Sequence, residues 1–397
     1  MNEYKNNENE KIFTKQFILM LIGVFSSAIV LYILIAPITE LCYSMTNDLS
    51  LSGIASGLYV VGGTVSLIFS GYFFRKWGWK KTGIIFLTLH FLTCFLYFLP
   101  ANVVGLLIIR FIHGFGIGLG YSALTVITTH ILPKTHLAEG LSFFYLTEPV
   151  DLGLSSIISI LFNGNQYITI SLIMTVIFSG IALLCMLLVK SDEPDLTHKS
   201  QKFKLKEINN YIDISTLPIS VGAMLCCFGY VAILTFSGIY AKKVNLVSAF
   251  NYFFLIYMVT VLISKPIFGR LQDKYGNLLP CIIPIILQTI CLFLLLNHNE
   301  LTVYISAIFT ALGYDVLYSS GMSIATENIT DERRHLAVTT YILLTELALG
   351  FGASILGLFS FIGIEGIFLA AGIFTLLSLP ICIYSLKINK MNQKIRN

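Results

Sequence analysis

The sequence predicts an all-α polytopic membrane protein of twelve transmembrane helices in two pseudo-symmetric six-helix halves. Three observations carry that expectation. The 397-residue chain is 56% hydrophobic and only 12% charged, more apolar than a soluble globule of this size can hide. Its apolar runs are long enough to cross a bilayer, which takes roughly 20 helical residues. A short phrase also recurs: Gly71-Tyr72-Phe73-Phe74-Arg75-Lys76-Trp77-Gly78 is echoed 198 positions later by Gly269-Arg270-Leu271-Gln272-Asp273-Lys274-Tyr275-Gly276. Likewise His136-Leu137-Ala138 followed by Leu146-Thr147-Glu148 returns as His335-Leu336-Ala337 followed by Leu344-Thr345-Glu346. The chain therefore reads as a duplicated bundle, an arrangement that places a substrate site near the bilayer midplane between its repeats.

In order, the candidate spans lie near 17–39, 51–74, 83–100, 102–126, 138–162, 167–189, 215–240, 247–268, 279–297, 300–326, 336–360 and 363–386. Leu, Ile and Phe dominate them without the polar alternation of barrel strands, so helices are the way to satisfy the backbone in lipid. No small-residue cleavage site follows the first span, which is expected to be retained. Lys and Arg fall in the N-terminus, at Arg75 to Lys81, Lys134, Lys190 to Lys206, Arg270 to Lys274, Arg333, Arg334 and the C-terminal tail; the opposite loops keep only Lys242 and Lys243. By the positive-inside rule both termini face the cytoplasm, across a bacterial plasma membrane. The expected organisation is a tail 1–16, a bundle 17–190, a cytoplasmic linker 191–214, a bundle 215–386 and a tail 387–397. Lys202, Lys204 and Lys206 alternate with Phe203 and Leu205 in the linker, which reads either as a solvated connector or as a segment lying on an anionic leaflet.

The net charge of +4 is an orientation signal, and no nucleic-acid partner is expected. The eight cysteines lie in or beside apolar spans without metal or disulfide spacing, and read as small packing residues. Short loops leave no room for a soluble catalytic domain, and no HExxH, GxSxG or paired-aspartate motif is present, so the chain is not expected to be an enzyme.

The repeated loop phrase, placed after spans two and eight, resembles the cytoplasmic loop motif of the major facilitator superfamily, and the likeness covers essentially the whole chain. The copy from Gly269 to Gly276 fits at every key position. In span four, Arg110-Phe111-Ile112-His113-Gly114-Phe115-Gly116-Ile117-Gly118 is similar to the Arg-x-x-[Gln/His]-Gly-x-Gly signature of the drug:proton antiporter branch. The first loop copy departs from the family, with Arg75 where the motif has Asp; the antiporter motif of span five is degraded, with Leu154 at the expected proline and Pro149 inside the span. The resemblance implies a conformational latch at Gly71, Gly78, Gly269, Asp273, Lys274 and Gly276, with Asp273 docking on the start of span five near Leu137–Leu141, where orphan amides favour an anion. The motif glycines are expected to permit close helix approach and sharp turns.

Charges within spans are costly and mark function by default. Arg110, Glu148, Asp151, Lys265, Asp315 and Glu346 are such residues. Helical rise puts Arg110 about 12 Å and Asp151 about 16 Å from the outer boundary, with Glu148, His113 and Glu346 near the midplane. The expectation is a proton-coupling set of Glu148, Asp151, Arg110 and His113, in which Arg110 pairs with Asp151 and Glu148 takes the proton. Substrate is expected at Glu346, Asp315, Tyr121, Tyr145 and Tyr314. Glu346 reads equally as a reader of a substrate cation or as a second proton site. Lys265 is expected to snorkel to the cytoplasmic headgroups, and His90 to be an interior hydrogen-bonded histidine.

These features predict a monomeric secondary transporter that needs no cofactor beyond a proton gradient. It would export a small amphipathic or zwitterionic compound in exchange for protons by alternating access; uptake by proton symport is the alternative, and a non-transporting membrane sensor the alternative from another class.

Overall fold

The computed structural model describes residues 13–99, 102–133, 140, 143–144, 147–162, 164–190, 213–327, 329 and 331–396. Their order is α1 (Lys15–Thr46), α2 (Leu49–Ile68), α3 (Ser70–Trp77), α4 (Trp79–Leu96), α5 (Val103–Ile131), α6 (Thr147–Leu161), α7 (Gly164–Leu188), α8 (Leu217–Lys243), α9 (Val247–Tyr275), α10 (Leu278–Leu294), α11 (Glu300–Thr310), α12 (Val316–Glu327), α13 (Asp331–Gly357) and α14 (Ile364–Arg396). A π-helical turn, Ala311–Asp315, joins α11 to α12. Among the described residues ten helical stretches are long and apolar enough to cross a membrane. The expected third and fifth spans carry the shorter α4 and α6. Large apolar side chains stand exposed along the helices, Ile68 at 67% and Leu161 at 66%, as a surface facing acyl chains requires.

The chain divides into two compact units. The first comprises Met1–Pro37, Leu58–Ile158 and Phe162–Gln201, the second Ile38–Gly57, Ser159–Leu161 and Lys202–Asn397. In the first, α5 packs between α2 and α4 at backbone distance, and its alternate glycines explain how. A side chain at Gly114 or Gly118 would run into the backbone of Tyr59 or Gly63 in α2, whereas one at Gly116 would meet His90 at 2.8 Å and one at Gly120 would meet Leu87 at 2.7 Å, both in α4. Positions four apart share a helix face, so the G-x-G-x-G-x-G run serves two neighbours at once.

The second unit contains residues 38–57, the end of α1 and the start of α2. There Gly57 abuts the carbonyl of Gly350, Gly53 that of Ala353, and Gly357 the backbone of Ser50. The two lysines that close α8 are both paired: Lys242 with Glu40 at 2.5 Å, and Lys243 with both carboxylate oxygens of Glu365 at 2.7 and 2.8 Å. A recess of about 910 Å³ lies beside them, lined by Glu40, Asp48, Lys242, Lys243 and Ser360 among others. In α10, Pro284 has no N–H for the carbonyl of Pro280, and Ser320 supplies the missing donor at 2.9 Å. All eight cysteines are buried free thiols.

Candidate functional site

The two repeated loop phrases close on glycines of matching geometry. Gly78 has φ 78° and ψ 170°, Gly276 φ 78° and ψ −173°, a region closed to residues with a Cβ. Close helix approach, the other role expected of these glycines, is not found at Gly269: among the described residues nothing comes within 4 Å of where its Cβ would be. Glycine-mediated approach belongs to α5 and α2 instead. Lys274 is exposed, its ammonium 5.1 Å from the Tyr275 ring. Gly71 lies in α3, and the side chain of Asp273 and the segment from Leu137 to Ala138 fall outside the described residues. The turn after α9 is held by Gln272, which donates to Asn277 at 2.8 Å and to the Ser320 carbonyl at 3.3 Å; Asn277 in turn donates to Glu327 at 2.6 Å.

Within the first unit the ionisable side chains separate into a sealed set and an open one. Arg110 is fully buried, with its guanidinium 4.8 Å from the centroid of the Tyr59 ring and hydrogen-bonded to Tyr97. His113, also at 0% exposure, stacks on His90 with centroids 4.3 Å apart; one ring nitrogen lies 3.1 Å from the Tyr97 hydroxyl and the other 3.3 Å from Cys94 Sγ. Cys94 also reaches Ser179 at 3.4 Å. His90 is buried as expected, with Nδ1 3.5 Å from the His113 carbonyl.

The predicted Arg110–Asp151 pair is not formed. Asp151 is at 0% exposure, and neither carboxylate oxygen has a hydrogen-bond partner among the described residues. Similar expected depth does not make them partners: Arg110 lies over the Tyr59 ring of α2, on the face of α5 that carries Gly114 and Gly118. Glu148, one turn before Asp151, is exposed and accepts a 3.0 Å hydrogen bond from the Tyr32 hydroxyl of α1. The two carboxyls therefore sit side by side on α6 in opposite surroundings. Tyr121 is half-buried with its ring 5.9 Å from Phe144, and Tyr145 lies outside the described residues.

The second unit gathers a different cluster around the π turn. Asp315 receives the Tyr257 hydroxyl on Oδ2, and Lys265 Nζ stands 3.7 Å from Oδ1. The headgroup role expected of Lys265 is thereby corrected. Cα–Cβ bonds lean toward a helix's N-terminus, so a lysine near the end of α9 reaches back up the helix more readily than beyond it. Tyr314, adjacent to Asp315, stacks on Tyr230 at 4.5 Å and 13°, and Tyr230 faces Tyr257 at 6.1 Å and 26°. Cys227 Sγ lies 3.4 Å from the Tyr314 hydroxyl and 3.8 Å from the carbonyl of Thr345, the neighbour of half-buried Glu346 in α13. Asp315, Tyr314 and the backbone beside Glu346 thus share one neighbourhood. Lys265 and Tyr257, two turns apart on α9, are the members that sequence reasoning placed elsewhere or left unassigned; a lysine inside an apolar run was the available signal.

The family model of the Major Facilitator Superfamily matches residues 18–255 and 219–394. The chain belongs to the major facilitator superfamily. It is a multi-pass membrane transporter, and members of the superfamily act on small molecules from within the bilayer. No curated protein matches it. Among solved structures, an alanine-substituted nucleoside transporter NupG superposes with a TM-score of 0.80 at 11% identity, over 93% of this chain and 99% of that one. A bacterial homologue of the human lysosomal transporter Spinster, inward-facing and unoccupied, gives 0.71 at 13% identity over 95% and 97%. The inward-open xylose transporter XylE from E. coli gives 0.69 at 16% over 95% and 96%. At these identities the likeness establishes the fold.

Proposed function

We propose that this superfamily member is a proton-coupled secondary transporter that exports a small amphipathic or zwitterionic organic compound by alternating access. In this reading twelve spans form two six-helix halves, 17–190 and 215–386, with both termini and the 191–214 linker in the cytoplasm of a bacterial cell. The observation that carries the coupling is the contrast on α6. Asp151 is buried with no hydrogen bond to its carboxyl oxygens among the described residues, while Glu148, a turn away, is exposed and held by Tyr32. Burying a carboxylate without a partner is costly, and a bound proton removes the charge that makes it so. Glu148 then serves as the accessible relay and Asp151 as the enclosed carrier, with Arg110 and His113 holding the neighbouring core. The acid cluster of the second unit, Asp315 and Glu346 with Tyr314, reads the substrate, as Tyr121 and Tyr145 do from the first. The loop motif with Asp273, Lys274 and its closing glycines acts as the latch.

Symport is the second reading, favoured by the fold shared with a D-xylose-proton symporter at TM-score 0.70 and 14% identity. Reconstitution under an imposed pH gradient separates the two. Export by antiport requires an acidic lumen to drive substrate into the vesicle, whereas symport requires an acidic exterior. In either case Asp151→Asn should abolish gradient-driven movement while substrate exchange at zero gradient continues; gradient-driven movement at the wild-type rate in this variant would overturn the assignment of the coupling acid.

A further inference from the structure

We propose that Asp315 binds the amine of the transported compound and that Lys265 is a tethered counter-ion which that amine displaces, an inference that rests on the transporter reading above. An ion pair inside a transmembrane bundle is retained at a desolvation cost and marks a working site by default. The Lys265–Asp315 pair is built to open. Its separation of 3.7 Å exceeds the 2.7–2.9 Å typical of a charge-assisted hydrogen bond, and the lysine side chain is 26% exposed against 10% for the aspartate. The aspartate is the fixed member, since Tyr257 holds Oδ2 and the π turn fixes its backbone. The lysine is the mobile one, a point charge on a flexible stem.

This asymmetry decides which charge a ligand brings. An anion drawing Lys265 away would leave a buried carboxylate uncompensated, whereas a cation arriving at Oδ1 replaces the charge it removes. The walls suit an aromatic or otherwise apolar amine. Tyr257, Tyr230 and Tyr314 form a near-parallel stack next to the carboxylate, offering ring faces to a cation and to planar groups. When the ligand leaves, Lys265 returns and the empty site again carries no net charge.

The test is thermal unfolding of the purified full-length protein titrated with 2-phenylethylamine and with 2-phenylethanol, its uncharged counterpart. The amine should stabilise the wild type and the alcohol should not. Asp315→Asn should weaken amine binding by roughly tenfold to a hundredfold, the worth of one charged hydrogen bond. Lys265→Gln should lower the melting temperature without ligand and tighten amine binding by roughly threefold to tenfold through loss of the competitor; Lys265→Arg should bind as the wild type does. Equal shifts with amine and alcohol, undiminished binding in Asp315→Asn, or weaker binding in Lys265→Gln would each overturn the proposal. If Asp315→Asn does not fold, the opposite signs predicted for Lys265→Gln decide it alone. Binding is read without a gradient, so amine binding that persists in a protein unable to move solutes in vesicles would count against the coupling reading and leave this site standing.

Discussion

Two stretches of the chain carry the same Gly-Tyr pair, Gly120-Tyr121 and Gly313-Tyr314, and the structure uses them differently. In α5 the sequence Gly120-Tyr121-Ser122 lies in an unbroken helix of 29 residues whose glycines seat it against α2 and α4. Its counterpart, Gly313-Tyr314-Asp315, lies in a π turn that interrupts the helix between α11 and α12. The first copy seals its cation, Arg110, against aromatic rings. The second sets its acid, Asp315, loosely against a partly exposed lysine of α9, Lys265. One phrase is built into a close-packed post, the other beside adjustable charges.

The sharpest way to break this comparison is to overfill the post. Gly114→Leu must displace the Tyr59 carbonyl, which is backbone and cannot rotate aside. We expect a loss of more than about 3 kcal/mol, seen as failure to elute as a monodisperse peak. Gly313→Ala meets mostly the side chain of Gln288, at 2.6 Å from its amide oxygen and 2.8 Å from its Cβ, and should be milder. If the two cost the same, α5 is no more rigid than the stretch around the π turn.

Next in size is the exchange of cations. Arg110→Lys removes a planar guanidinium from the Tyr59 ring and from Tyr97, and a buried ammonium has no comparable way to lie flat; a cost of about 2 kcal/mol follows, measured by thermal unfolding. Lys265→Arg, at a partly exposed site with one acid, should cost less than about 1 kcal/mol. The reverse order would mean that the sealed and adjustable sites have been assigned to the wrong units.

These contrasts also mark what a single sequence discloses. The all-helical membrane class and the closing glycines at 78 and 276 were legible because each follows from a local rule: apolar length, and a backbone region that excludes a Cβ. The partners of the buried charges were not. Helical rise fixes depth, but the direction a side chain faces depends on rotation about the helix axis, and nothing within one span specifies it. Arg110 and Asp151 agreed in expected depth and form no pair; Lys265 and Asp315, fifty positions apart in the chain, meet at a π turn with no compositional mark.

The glycine geometry offers a sharper, smaller test. Gly78→Ala and Gly276→Ala should each cost about 1–3 kcal/mol, since both force a Cβ into the same strained region. Gly269→Ala should be neutral or slightly stabilising, because that helical position has open space around it among the described residues and alanine is the better helix former. Equal damage at Gly269 would restore the close-packing role that this structure assigns to other glycines.

The smallest effect is expected where charges are most visible. Lys242 and Lys243 depart from the sidedness of the other cations, and both face acids at the end of α8. With Lys242 58% exposed, its pair with Glu40 works against water and mobile ions, so Glu40→Gln should cost less than about 1 kcal/mol and the difference should fade at high salt. The glycine contacts of Gly53 and Gly57 with α13, by contrast, are insensitive to salt, and Gly57→Val should outweigh the loss of the ion pair at any ionic strength. A salt-dependent melting shift in Glu40→Gln larger than the effect of Gly57→Val would show that charge, rather than close backbone packing, holds this end of the second unit together.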